Sequence, residues 1–277
     1  MLNLIADSSC DLQTGVFFND SVTFTAVPMC LRVGETDYYD TADLSIPEML
    51  EGIKSQPSST ACPSPAAFAE LFESAEESIC VTISSNLSGT YQAAMAGREM
   101  VLADHPEKKV YVLNSYATAG TMVLQLRRAA KLYAEGVAFD DICADLEKFR
   151  DEQCRTMFTL ENFDNLVNNG RMRPLLGTML HTLGIHVIAE GTREGTIHVC
   201  GKARGNEKTY KEIVKLMQEQ KDCTGAHVII THCQNKEGAE RLAECIQANL
   251  PVEGIEFLDC RGLTSYYAMD KGLIICF

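Results

Sequence analysis

The chain has 277 residues, 46% of them hydrophobic, and a formal net charge of −14. That length favours two domains sharing an interface over one oversized core, and the acidic balance leaves no Lys/Arg cluster to release the counterions of a nucleic acid. No apolar run approaches the roughly 18 residues of a membrane span and no charged-then-apolar leader is present, which predicts a cytoplasmic protein without stable membrane insertion.

In chain order, the runs "NLIADSS" (3–9), "ICVTIS" (79–84) and "VYVLNS" (110–115) read as strands. Helical patterns over 65–75, 91–102 and 117–133 lie between and after them. This alternation predicts a mostly parallel sheet covered by helices over residues 1–154. Each strand ends in Ser with Asp or Asn nearby, so polar strand ends gather on the carboxyl edge, where open α/β sheets bind ligands. Beyond residue 154 the pattern changes. "IHVIAE" (185–190) and "TIHVCGKAR" (196–204) flank "GTREG" as a hairpin. "AHVIITHC" (226–233) is a further strand, 236–250 an amphipathic helix, and "IEFLDC" and "GLIICF" close the chain. Residues 155–277 therefore read as an α+β domain with an antiparallel or mixed sheet. The fold class is α/β, an N-terminal parallel α/β domain plus a C-terminal α+β domain, with the ligand cleft between them.

Several chemistries lack their motifs: there is no G-x-G-x-x-G after a strand, no G-x-x-x-x-G-K-[ST], no H-E-x-x-H and no G-x-S-x-G. The six histidines (105, 181, 186, 198, 227 and 232) show no metal-ligand spacing and read as structural. The twelve cysteines are dispersed without a C-x-x-C pair, which predicts reduced, mostly buried thiols. No metal or cofactor is expected.

What remains is a candidate anion site. "ISSNLSGTYQAA" (83–94) is a strand-to-helix junction, able to present backbone N–H groups and hydroxyls to an anion. Ser88 sits beside Gly89, whose missing side chain leaves the backbone accessible. Thr60 falls in a Pro-flanked polar loop ahead of a helix. Both hydroxyls equally suit helix capping: Ser88 or Thr90 for the helix from Tyr91, Thr60 for the helix near Pro65. In "NNGRM", Gly170 reads as a helix C-cap, with Arg171 projecting from the fixed turn.

"IADSSCDL", "TACPSPAAFAELFE", "ISSNLSGTYQAA", "NSYATAGTMVLQ", "FDNLVNNGRM" and "KARGNEKTYKEIV" follow one another over most of the chain. In that order they resemble the DegV family of bacterial fatty-acid-binding proteins. The resemblance implies a two-domain fold holding one long-chain fatty acid between its domains and presenting it to a separate fatty acid kinase, with no catalytic machinery of its own. It implies that Thr60 and Ser88 bind the carboxylate and that Arg171 lies at the head-group entrance, as a partner for a phosphate or for the kinase. The acyl chain must supply the affinity: about 14 buried methylenes at roughly 0.8 kcal/mol each contribute on the order of 11 kcal/mol gross.

The chain departs from the family near its end, where a His followed by x-G-P-G is usual. Counting back from Gly272 places Ser265 at the His position and Tyr267, Ala268 and Met269 over Gly-Pro-Gly. Ser265 can donate a hydrogen bond to an anion but carries no charge, so binding is expected to survive better than phosphate transfer. Competing readings are a hydrolase using Ser88 or Ser85 with His232 or His227 as base, and a binder of another amphipathic carboxylate.

Overall fold

The computed structural model describes residues 1–173 and 184–277. In chain order the elements of the first half are β1 (Leu2–Asp7), β2 (Val22–Val27), β3 (Cys30–Val33), β4 (Thr36–Tyr39), α1 (Ile46–Ser55), β5 (Ser58–Ala61), α2 (Pro65–Glu73), β6 (Glu77–Thr82), α3 (Thr90–Asp104), β7 (Lys109–Asn114), α4 (Gly120–Ala134) and α5 (Phe139–Gln153). The remainder comprises β8 (Thr156–Leu160), α6 (Asp164–Asn168), β9 (Ile185–Gly191), β10 (Ile197–Arg204), α7 (Asn206–Gln220), β11 (His227–His232), α8 (Lys236–Asn249), β12 (Gly254–Asp259), α9 (Gly262–Ala268) and β13 (Leu273–Cys276).

The first sheet has the order β2-β1-β6-β7, parallel throughout. Its central strand β1 is buried along its whole length, which its run of apolar residues permits. The second sheet has the order β10-β9-β8-β13-β11-β12 and is mixed, with β11–β12 its parallel pair. Helices α2 and α3 cover the outer face of the first sheet, and α7 and α8 the outer face of the second. Helix α4 lies between the two, packed on β1 and β6 from one side and on β11 and β13 from the other. Gly120 permits this closeness, since a Cβ there would stand 2.6 Å from Ile229 Cγ2. The expected α/β plus α+β architecture is therefore present. Among the described residues, no helix is long and apolar enough to cross a membrane.

A small third sheet, β4-β3-β5, is an addition to the expected layout. So are β2, α1, α5, β8, α7 and α9. Strands β4 ("TDYY") and β5 ("SSTA") are short and largely solvent-facing, so they carry none of the apolar alternation that marks a half-buried strand. Thr60 consequently lies in β5, opposite Leu31 of β3, and not in a polar loop.

The polar strand ends do converge, but largely on each other. Asn114 Nδ2 donates to Ser85 Oγ at 2.6 Å. Ser84 Oγ donates to the Gly195 carbonyl at 2.7 Å, and Asn86 Nδ2 to the Glu194 carbonyl at 2.6 Å. The β9–β10 turn is thereby docked on the carboxyl edge of the first sheet. Gly195, at φ +75°, makes this approach possible, because a Cβ would lie 2.2 Å from Ser84 Oγ.

Candidate functional site

Between the two large sheets lies a cavity of about 840 Å³, its open mouth included, within the range of small-molecule sites. One face of β8 forms part of its wall: Thr156, Phe158 and Leu160 alternate inward, as strand geometry requires. Met157, pointing the other way, joins the core under α7 and α8. Ile83 and Leu87 from the junction after β6, with Leu263 and Ile274, make the lining predominantly apolar.

The polar groups in the lining include Thr60, Ser88, Arg171 and Tyr267. Thr60 Oγ1 lies 3.1 Å from the Tyr267 hydroxyl. Burial pushes the Tyr267 phenol up, opposed by the Thr60 hydrogen bond and the positive charge of Arg171. Arg171 is held by its own bonds, Nε donating to the Leu87 carbonyl at 3.0 Å and Nη1 to the Asn169 carbonyl at 2.6 Å. Among the described residues it is the one charged side chain in the lining. Its turn is the expected one: Gly170 has φ +72° and the Arg171 N–H returns to the Leu166 carbonyl at 2.8 Å. An apolar cavity with one cation and several hydroxyls can hold an amphipathic anion.

The structure thus brings Thr60, Ser88 and Arg171 to one cavity. Capping does not account for Thr60, since Ser64 caps α2 by accepting from the Ala67 N–H at 3.3 Å. Ser88 has a local role as well: its Oγ lies 2.8 Å from Thr90 Oγ1 and accepts from the Thr90 N–H at 3.4 Å.

Gly89 and Ser265 are not brought to the lining. Gly89 is the exposed N-cap of α3 at φ −71°, a backbone open to any residue. Ser265 is fully buried, its Oγ donating to the Cys260 carbonyl at 3.2 Å. The reason is helical phase: Thr264, Tyr267 and Ala268 occupy the cavity face of α9, spaced i, i+3 and i+4, and Ser265 is rotated away from them. Tyr267 and Thr264 are the polar residues this displacement hides from a position-by-position comparison. Met269 nevertheless has φ +54°, a conformation that suits the glycine usual there.

The hydrolase geometry is absent among the described residues. His227 Nε2 lies 3.4 Å from Glu256 and His232 Nδ1 3.5 Å from Asp259, while Ser85 and Ser88 bond to Asn114 and Thr90. No histidine joins the described cavity lining, and His181 lies outside the described residues. No cluster of three metal-ligating side chains occurs among the described residues. All twelve cysteines are free, and Cys62 alone is exposed.

The family model for uncharacterised proteins of the DegV family matches residues 1–265. The chain belongs to the DegV family. A DegV domain-containing protein of Streptococcus pneumoniae is 31% identical over 278 residues, covering 98% of this chain and 97% of the relative. Among solved structures, a DegV family protein from Eubacterium eligens, loaded with heptadecanoic acid, superposes with a TM-score of 0.93 at 30% identity, covering 100% of this chain and 99% of that one. The Streptococcus pneumoniae Fatty Acid Kinase (Fak) B3 protein, loaded with linoleic acid, gives 0.94 at 29% identity, covering 100% and 98%.

Proposed function

We propose that the protein binds one long-chain fatty acid in this cavity and presents its carboxylate to a partner fatty acid kinase in the cytoplasm, without chemistry of its own. The carboxylate meets Thr60, Ser88, Arg171 and Tyr267, and the acyl chain lies along β8. The observation that carries the reading is the pairing of a long apolar lining with a single cation. Charge-assisted bonds orient the head group, while methylene burial supplies most of the affinity. The heptadecanoic and linoleic acids in the two related structures support the same ligand class. With the domain boundary taken after residue 154, Thr60 and Ser88 come from the first domain and Arg171 and Tyr267 from the second, so the head group bridges both.

The test is denaturing extraction of purified protein followed by mass spectrometry, with thermal melts of the delipidated protein. A stoichiometric long-chain acid and a melting temperature raised by added oleate are expected, because a ligand of the folded state stabilises it. No extracted acid and no shift with oleate would overturn the reading.

A further inference from the structure

The cavity runs along β8 from Leu160 to Thr156, four residue steps or roughly 13 Å. The chain leaves β8 at Leu160 and passes through α6 and the Gly170 turn, which bring Leu166 and Arg171 into the lining. At the Thr156 side the cavity meets a wall: Tyr116, Ala117, Thr156 and Gly191 line it and also line a second cavity of about 340 Å³. That second space is bordered by charged groups, Arg150, Asp151, Arg155 and Arg193. Tyr116 further lines a surface groove with Tyr91, Met95 and Tyr111. Tyr116 is therefore common to the apolar cavity and to both outer spaces.

The wall is built to stay in place. Tyr116 has φ +54°, a conformation costly for an aromatic residue and kept only where the surroundings impose it. Its ring lies under the Arg150 guanidinium, 4.2 Å from ring centroid to Cζ, and Arg150 is fixed by Asp151 and by the Asn114 carbonyl. Thr156 Oγ1 is bonded to Thr121 Oγ1 at 2.7 Å. Gly191 completes the wall with room to spare, since a Cβ there would meet Thr156 Cβ at 3.7 Å, an ordinary contact. An acyl tail passing this point would enter an arginine-lined space and strip water from charged groups without replacing their bonds.

We propose that the shared wall of Tyr116, Thr156 and Gly191 is the stop for the methyl end of the acyl chain and so sets the length of acid that the protein selects. The inference rests on the fatty acid reading above and adds the residues that measure chain length. Up to the wall each methylene improves affinity roughly fourfold; beyond it the gain stops or reverses.

The test is competition among saturated acids of about 12 to about 20 carbons for delipidated protein, read by mass spectrometry, where a step of two methylenes is worth roughly tenfold or more below the limit. Gly191→Val fills the end of the cavity and moves the preferred length down by about two carbons. Tyr116→Gly, which suits the left-handed backbone, moves it up by a similar amount. Tyr116→Phe keeps the ring and the wild-type profile. A shift in either of the first two places the methyl end at this wall and assigns the stop to that residue. Wild-type profiles in both, with acids still bound, overturn the length stop and leave the fatty acid reading standing. Binding of no acid by the wild-type protein overturns both.

Discussion

Tyr267 joins the packing of α9 to the head-group site proposed above. It is mostly buried, lies in the cavity lining, and shares its hydrogen bond with Thr60 at 3.1 Å. Tyr267→Phe keeps the ring and removes one donor near the carboxylate, so acid affinity is expected to fall by about 1–2 kcal/mol, roughly tenfold. A fatty alcohol of equal length, with no charge to satisfy, is expected to lose less. Equal losses for acid and alcohol, measured by calorimetry, would show that Tyr267 acts through packing alone. Thr60, Ser88 and Arg171 could be singled out because each belongs to a short motif, and all three line the cavity, although the motif of Thr60 did not disclose the strand β5 that carries it. The places of Ser265 and Tyr267 were not legible. Their roles depend on the phase of a seven-residue helix, and counting positions back from Gly272 carries no information about which face a residue occupies.

Helix α9 owes that phase to residues far away in sequence. Seven residues make a helix too short to persist alone, and its first N–H groups need acceptors. Asp40 provides two, accepting from the Gly262 N–H at 2.8 Å and the Leu263 N–H at 2.9 Å. Asp11 accepts from the Arg261 N–H at 2.7 Å and from the Thr264 hydroxyl. Asp40 follows β4, in the small sheet that the sequence concealed, so the anchor that orients α9 and Tyr267 was invisible: polar, short strands carry no periodic signal. Asp40→Ala leaves two N–H groups in a buried site without acceptors and is expected to cost about 2–3 kcal/mol of stability. Asp40→Asn, retaining one carbonyl acceptor, costs less. Urea titration measures the loss, and fatty acid affinity is expected to fall with it as Thr264 and Tyr267 lose their fixed positions. Unchanged affinity in a destabilised Asp40→Ala protein would show that α9 is held in place by its packing.

At the scale of the whole molecule, alternation of apolar strands with helical stripes was sufficient to read the two-part α/β architecture, whereas the order of the six-stranded sheet depends on pairings between distant segments that periodicity does not encode. The same architecture buries acids in an already acidic chain. Burial pushes Asp7 from its ordinary 3.8 up to about 6, against the opposing pull of the Ser9 hydroxyl and the Ile83 and Ser9 N–H groups. Desolvation likewise raises Asp11 and Asp40. A raised carboxyl binds its proton more tightly folded than unfolded, so its contribution is greatest below the unfolded value and is lost as pH rises through the folded one. For Asp7 the difference is on the order of 3 kcal/mol between the two ends of that window. Surface carboxylates paired with arginine, Asp37, Asp145 and Glu256, are shifted the other way; their loss on acidification comes at lower pH, below their unfolded values near 4. Acidification also relieves the self-repulsion of a net charge of −14. The delipidated protein is therefore expected to become more stable from about pH 7.5 to about pH 5.5, with the gain reduced in Asp7→Asn, whose side chain does not titrate. Urea midpoints across that range check it: stability that falls steadily on acidification, or an Asp7→Asn variant with the wild-type slope, would show that Asp7 ionises in the folded chain as readily as in the unfolded one.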